Sequence, residues 1–175
     1  VADVEQSEAA RIAIDWFDSQ LSKTMLEVDD LFTKYRLSEA LMAVYKLFWD
    51  EFSSWYLEMV KPAYQKPIDK VTYQATLGFF DSLLKMLHPF MPYITEEIWH
   101  HLYPETKTDL IVTIKPSTAS FNNEILDQFD AAAEAINGIR KVRAEKNIPF
   151  RDAISLKVKL NGPKAFENFD QIICK

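Results

Sequence analysis

Glycine and cysteine are scarce in this sequence, and long apolar runs are absent. Three glycines in 175 residues suit long helices with few tight turns and argue against a sandwich of many short strands. The single cysteine, Cys174, excludes an intrachain disulfide, which favours a reducing compartment such as the cytoplasm. Because no run of about 18 apolar residues and no basic-then-apolar leader occurs, we expect neither a membrane span nor a signal peptide.

Basic residues are outnumbered, with 20 Lys and Arg against 26 Asp and Glu and a net charge of −6. Nonspecific affinity for nucleic acid comes mostly from phosphate neutralisation, so this charge argues against a general nucleic-acid binder while allowing a local basic patch. Apolar residues make up 48% of the chain, which is enough to bury a core. Because the sequence opens within a predicted helix and ends without a stop signal, we expect a piece of a longer protein.

The most extended amphipathic pattern in the sequence runs from Leu37 to Met59. Its apolar residues recur three or four positions apart and so line one helix face: Leu37, Leu41, Val44, Phe48, Phe52, Trp55 and Met59. Ser38 is a candidate N-cap, and Pro62 ends the helix. Trp49 and Tyr56 lie one residue off the stripe, which predicts partial exposure. Burial of both rings in the core remains the alternative.

Three further helices are predicted in the first part of the chain. Helical spacing indicates one from about Val4 to Phe32, one capped by Asp69 that ends near Leu87, and a short one from Thr95 to about Leu102. Short connections between helices imply antiparallel neighbours. We therefore predict a mainly α fold, with an antiparallel four-helix bundle as a first domain over residues 1–103.

The sequence changes in character after Tyr103. The β-branched run Leu110–Ile114 predicts a strand, Phe121–Lys146 predicts a helix, and the two-residue alternation from Ile154 to Leu160 predicts a second strand. A small α+β annex of strand, helix and strand is therefore predicted as a second domain, over residues 104–175.

The sequence contains no recognisable catalytic constellation. No Gly-x-Ser-x-Gly and no glycine-rich phosphate loop occurs. Residues Glu97 to His100 form a Glu-x-x-His pattern, but a di-iron bundle needs this pattern from two helices and a glutamate from each of two others. With only three histidines, that count fails. We therefore predict no catalytic residue, no metal site and no cofactor in this chain.

Two small basic groups could contact nucleic acid. Lys34 and Arg36 flank Tyr35 at the entrance to the central helix, where free backbone N–H groups could bind phosphate. The second group lies near the end of the helix that starts at Phe121: Arg140, Arg143, Lys146 and Asn147. Cations also stabilise a helix C-terminus without any ligand, and Tyr35 could simply pack against the protein. Both interpretations stay open for each group.

Three ordered blocks, within roughly residues 15 to 160, resemble the anticodon-binding domain of valyl-tRNA synthetases, a class I aminoacyl-tRNA synthetase family. They are Phe48-Trp49-Asp50-Glu51-Phe52 with Trp55-Tyr56-Leu57-Glu58, Leu87-His88-Pro89-Phe90-Met91-Pro92 with Ile94-Thr95-Glu96-Glu97-Ile98-Trp99, and Ile139-Arg140-Lys141-Val142-Arg143-Ala144-Glu145-Lys146-Asn147-Ile148-Pro149. Ser53 stands where this family often has cysteine. The isoleucine- and leucine-specific relatives share the bundle but differ in the first block. They remain alternatives, as does a helical protein-interaction module without RNA binding.

The resemblance implies a parent enzyme that joins valine to tRNA(Val) using ATP. The His-Ile-Gly-His and Lys-Met-Ser-Lys-Ser signatures of its catalytic domain are missing here, so ATP would bind elsewhere in the parent and this chain alone would be inactive. The implied partners are the anticodon arm of tRNA(Val) and the parent's catalytic domain, and we expect a monomer in the cytoplasm. The candidate tRNA-binding residues are Lys34, Tyr35, Arg36, Trp49, Tyr56, Arg140, Arg143, Lys146 and Asn147.

Overall fold

A computed structural model describes residues 1–113, 120–149, 152–155 and 169. The chain forms two compact units, Val1–Phe121 and Asn122–Lys175. The regular structure of the described residues is helical, which confirms the predicted mainly α class. In this part of the chain, β pairing is limited to an isolated bridge between Ala2 and Asp69, and no helix is both long and apolar enough to cross a bilayer. The predicted division after Tyr103 stays a prediction.

Within the described residues, four helical stretches build the first unit, as predicted. They are α1 (Glu8–Thr33), a central helix composed of α2 (Leu37–Lys46), a π-helical segment (Leu47–Tyr56) and α3 (Leu57–Val60), then α4 (Lys70–Leu87) and α5 (Pro92–Leu102). The Asp69 carboxylate caps α4 as predicted, accepting the Thr72 N–H at 2.8 Å. Helix α5 begins at Pro92 rather than Thr95, because proline suits the first position of a helix.

Phe17 of α1 lies at the centre of the aromatic core of the first unit. Its ring centroid is 5.3 Å from that of Phe52, 5.1 Å from that of Tyr56 and 4.9 Å from that of Phe79. These contacts join α1, the central helix and α4, and aromatic pairs at such distances add about 0.5–1.5 kcal/mol beyond their burial. The first unit is therefore a helical bundle around a ring cluster.

The central helix departs from α-helical geometry over the ten residues Leu47–Tyr56. The Ser53 and Ser54 hydroxyls donate to the carbonyl oxygens of Phe48 and Trp49, each at 2.9 Å and five residues back. The Leu57 backbone N–H likewise bonds to the Phe52 carbonyl, five residues back, and backbone hydrogen bonds of this span define a π-helix. The buried residues of this segment are Leu47, Phe52 and Tyr56. Phe52 was predicted to be buried, whereas Leu47 and Tyr56 replace the predicted Phe48 and Trp55.

The start of the central helix also differs from the prediction. The helix begins at Leu37 with Arg36 as its N-cap and without a capping side chain, so the predicted Ser38 cap is wrong. The Arg36 N–H still bonds to the Leu31 carbonyl of α1, and α2 starts at the next residue, Leu37. Leu37 and Leu41, predicted to be buried, are exposed.

The predicted strand over Leu110–Ile114 is wrong within the described residues. Leu110–Val112 forms a single 3-10 turn, and Ile114 lies outside the described part. The Leu110 N–H donates to Oε1 of Glu96 at 2.6 Å, and the Trp99 indole N–H donates to the Thr108 carbonyl at 2.9 Å. Both hydrogen bonds fasten this segment to α5 and not to a neighbouring strand.

Packing explains why a β-branched run forms a turn. Only Leu110 enters the core, against Leu84 and Trp99, while Ile111 and Val112 stay exposed. A turn that buries the Leu110 side chain is therefore more favourable for this segment than an extended strand without a partner strand.

The second unit contains α6 (Asn123–Glu145), within two residues of the predicted start and one of the predicted end. The Asn122 side chain caps it, since Oδ1 accepts the Glu124 N–H at 2.9 Å. The predicted strand over Ile154–Leu160 lies outside the described residues apart from its first two positions.

Candidate nucleic-acid interface

Lys34, Tyr35 and Arg36 form the turn between α1 and the central helix. The N–H of Tyr35 donates to the Phe32 carbonyl at 3.0 Å, and the N–H of Arg36 donates to the Leu31 carbonyl at 2.9 Å. This way of ending a helix requires a left-handed residue, usually glycine, and here Tyr35 takes that place with φ 57°. Its ring is 89% exposed, which excludes packing in the core.

Both cations of this turn are paired with exposed carboxylates. Lys34 Nζ lies 2.6 Å from Asp30 Oδ2, and the Arg36 guanidinium makes a two-point contact with Glu39, in which Nε donates at 2.6 Å. The hydrogen bond and charge of Glu39 raise the pKa of Arg36 above its already high value. Because solvent screens exposed ion pairs and they contribute little to stability, a phosphate group can compete for either cation.

The second basic group closes α6 in the same way. Asn147 has φ 51°, and the Ile148 N–H donates to the Arg143 carbonyl at 2.9 Å. The Arg143 guanidinium donates to the carbonyls of Pro149 at 2.7 Å and Asp152 at 2.9 Å. Arg143 therefore holds the chain that follows the helix.

Arg140, Lys146 and Asn147 are exposed around this helix end. Arg140 lies three residues before Arg143 and so on the same side of α6. A cation here is also stabilised by the negative end of the helix dipole. This end of α6 thus offers charge at its surface, while Arg143 shapes the backbone.

Trp49 and Tyr56 occupy opposite environments. The Trp49 side chain is 57% exposed, as predicted, whereas Tyr56 is 0% exposed, so its predicted partial exposure is wrong. The Tyr56 hydroxyl lies 2.8 Å from Oγ1 of Thr76, and burial raises the pKa of Tyr56. The π-helical segment turns Tyr56 into the core, where its ring cannot reach a ligand.

The candidate residues fall into separate places. Lys34, Tyr35 and Arg36 share one turn, and Trp49 lies roughly 20 Å further along the central helix at about 1.5 Å per residue. The remaining four residues share the end of α6. Tyr45 was not among the predicted site residues, although it is 50% exposed and its ring plane lies within 10° of that of Trp49. Its position four residues before Trp49 was the signal that could have identified it.

One set of possible metal ligands lies on α5 and the turn after it. Donor atoms of Glu96, His100 and Asp109 lie within 4.8 Å of one another, with His100 Nε2 at 3.3 Å from Glu96 and 3.2 Å from Asp109. Glu97, from the Glu-x-x-His pattern, instead lies 3.4 Å from His101. Two carboxylates and an imidazole could hold a divalent cation, but the same contacts attach the turn to α5. The absence of a metal stays a prediction.

Comparison with known proteins decides the family. The family model described as the anticodon-binding domain of tRNA ligase matches residues 15–160, which is most of the chain. The chain belongs to this family. That membership confirms the resemblance carried by the three sequence blocks.

Several valine–tRNA ligases are similar to nearly the whole of this chain. The chain is 57% identical to the valine–tRNA ligase of Parabacteroides distasonis, over 93% of the chain and 19% of the ligase. It is 55% identical to the ligase of Phocaeicola vulgatus, over 100% of the chain and 20% of the ligase. It is 33% identical to the ligase of Enterococcus faecalis, over 95% of the chain and 19% of the ligase. The chain thus spans about a fifth of the length of these curated relatives.

Proposed function

We propose that this anticodon-binding domain serves a valine–tRNA ligase and binds the anticodon arm of tRNA(Val). The match to valine–tRNA ligases over nearly the whole chain carries this proposal. The parent protein would join valine to the tRNA in a separate catalytic domain that uses ATP, while this chain supplies binding alone. An antiparallel course of the helices, a monomeric parent and a cytoplasmic location belong to the same proposal.

The turn at Lys34, Tyr35 and Arg36 has the chemistry that an RNA loop requires. Unpaired bases can be splayed out and stacked on aromatic or arginine planes, and the 89% exposed ring of Tyr35 offers such a plane. Lys34 and Arg36 would exchange their carboxylate partners for phosphate, and such backbone contacts set the register of the RNA.

The end of α6 would contribute backbone contacts through Arg140, Lys146 and Asn147. These side chains are exposed, and the amide of Asn147 can both donate and accept hydrogen bonds. Arg143 would act on RNA indirectly, by fixing the carbonyls of Pro149 and Asp152. Tyr56 is not included in this site because its ring is buried.

The test compares two anticodon stem-loops of tRNA(Val) that differ only in the anticodon bases. Stacking does not distinguish one base from another, but hydrogen bonds to the base edges do. Loss of one such bond costs about 0.5–1.5 kcal/mol, so we expect the altered loop to bind up to about tenfold more weakly in fluorescence anisotropy at fixed salt. The double variant Lys34→Ala/Arg36→Ala should weaken both RNAs alike, and Lys66→Ala, in an exposed loop, should weaken neither. Equal affinity of the chain for both loops would contradict the proposal.

A further inference from the structure

Two exposed aromatic rings lie side by side on the central helix, away from the basic turn. The ring centroids of Tyr45 and Trp49 are 6.4 Å apart, and their planes differ by only 10°. Half or more of each side chain is open to solvent. The pair therefore presents parallel flat apolar surfaces that the core of the first unit does not use.

The helix that carries these rings is anchored in the core by buried neighbouring side chains. Val44 and Leu47, the neighbouring core positions, are completely or almost completely buried. Trp49 is the third residue of the π-helical segment, and its carbonyl accepts a 2.9 Å hydrogen bond from the Ser54 hydroxyl. A π-helical segment inside a longer helix frequently occurs at a functional site. Here the segment positions Trp49 beside Tyr45 on a rigid support.

The charges beside the rings are mixed. Lys46 and Asp50 are both exposed and adjoin Tyr45 and Trp49 in the sequence. Their opposite charges leave little net attraction for phosphate, so a ligand would be held by its flat apolar faces. Leu41 and Met42, one turn earlier, are exposed as well but offer no planar surface.

We propose that Tyr45 and Trp49 form a stacking platform for one unpaired nucleobase of the bound RNA. This inference rests on the proposed function and deepens it, since it assigns base stacking to a place about 20 Å along the helix axis from the basic turn. Stacking on an aromatic ring tolerates any base because each base has a π face. The platform therefore supplies affinity for single-stranded RNA, and base identity is read elsewhere.

The experiment titrates the chain with two RNAs: an anticodon stem-loop that carries 2-aminopurine in the loop, and a fully paired hairpin. Wild-type chain should bind the stem-loop and quench its fluorescence through stacking. Trp49→Ala should raise the Kd for the stem-loop about 5- to 100-fold and reduce the quenching at saturating chain, leaving only the part that comes from stacking on Tyr35. Binding of the paired hairpin should not change, because it offers no free base.

Two variants separate stacking from folding. Trp49→Phe keeps an aromatic ring and should lose less affinity than Trp49→Ala. Tyr93→Ala removes an even more exposed ring on α5 and should leave the Kd unchanged. Wild-type affinity of Trp49→Ala for the stem-loop would overturn the platform while leaving the proposed function intact. Failure of the wild-type chain to bind either RNA would overturn both.

Discussion

At the scale of single residues, Tyr56 connects the central helix to α4 through a chain of hydroxyl groups. The Thr76 hydroxyl donates to the Thr72 carbonyl at 2.8 Å, so the Tyr56 hydroxyl, 2.8 Å away, donates to Thr76. Tyr56 is completely buried and Thr76 is half-buried, and a buried hydroxyl without a partner costs free energy. The bond therefore contributes to stability and not to ligand binding.

We expect Tyr56→Phe to lower the free energy of unfolding by about 1 kcal/mol, the usual contribution of one such hydrogen bond. Urea denaturation measures this change. Tyr45→Phe, which removes an exposed hydroxyl, is the matched control and should leave stability unchanged. A variant with full stability but weakened RNA binding would place the Tyr56 hydroxyl at the interface instead.

The environments of Trp49 and Tyr56 could not both be predicted from the sequence. A repeat of three or four residues predicts the same partial exposure for both, since each lies one step off the stripe. The π-helical segment lengthens the interval between the buried residues Leu47 and Phe52 to five positions, and Tyr56 then takes the core position that the predicted stripe gave to Trp55. The residue types of the segment do not predict the π-helix, because serines such as those that hydrogen-bond within it also occur in ordinary α-helices.

At the scale of helices and turns, local chemistry decides where a helix starts only when a side chain reaches the backbone. Asp69 does so at α4. Ser38 lies inside α2 and makes no capping contact, since Arg36 is the N-cap. The two residues thus form a natural comparison between a true and an apparent cap.

We expect Asp69→Ala to lower the free energy of unfolding by about 0.5–2 kcal/mol, as loss of an N-cap does, while Ser38→Ala should change it by less than about 0.5 kcal/mol. Thermal or urea unfolding of both variants gives the comparison. Asp69→Asn should restore most of the loss, because asparagine also caps. If Asp69→Ala lowered the free energy of unfolding no more than Ser38→Ala does, the cap of α4 would contribute little to stability.

The helices were predictable because their apolar spacing is a local property, and α4 and α6 begin within two residues of their predicted starts. The 3-10 turn at Leu110–Val112 was not, because its shape depends on Glu96, Trp99 and Leu84, which are distant in sequence. The two basic groups were likewise visible as short runs, but only the structure shows that Arg143 is engaged with backbone carbonyls.

At the scale of the whole molecule, a net charge of −6 restricts where RNA can bind. Most of an acidic surface repels phosphate, so binding must use the few places where cations gather. Salt screens both the attraction and the repulsion, and the dependence of affinity on salt reports how many phosphates are neutralised.

We expect Arg140→Ala and Lys146→Ala each to reduce the slope of log K against log salt by about 0.7–0.9, if each side chain contacts one phosphate. Binding isotherms of the stem-loop at several salt concentrations measure the slope. Lys66→Ala serves as the control and should leave it unchanged. Slopes equal to wild type for both variants would remove the end of α6 from the interface.

The turn between α1 and the central helix also restricts how the length of the domain can change among homologues. Its three backbone N–H groups, those of Lys34, Tyr35 and Arg36, all bond back to the last turn of α1, and the next helix starts at once. One added or deleted codon here would break this closure and rotate the central helix against its core. Insertions and deletions among homologues should therefore occur in the proline-containing loop between Lys61 and Asp69 and be rare in the turn between α1 and the central helix.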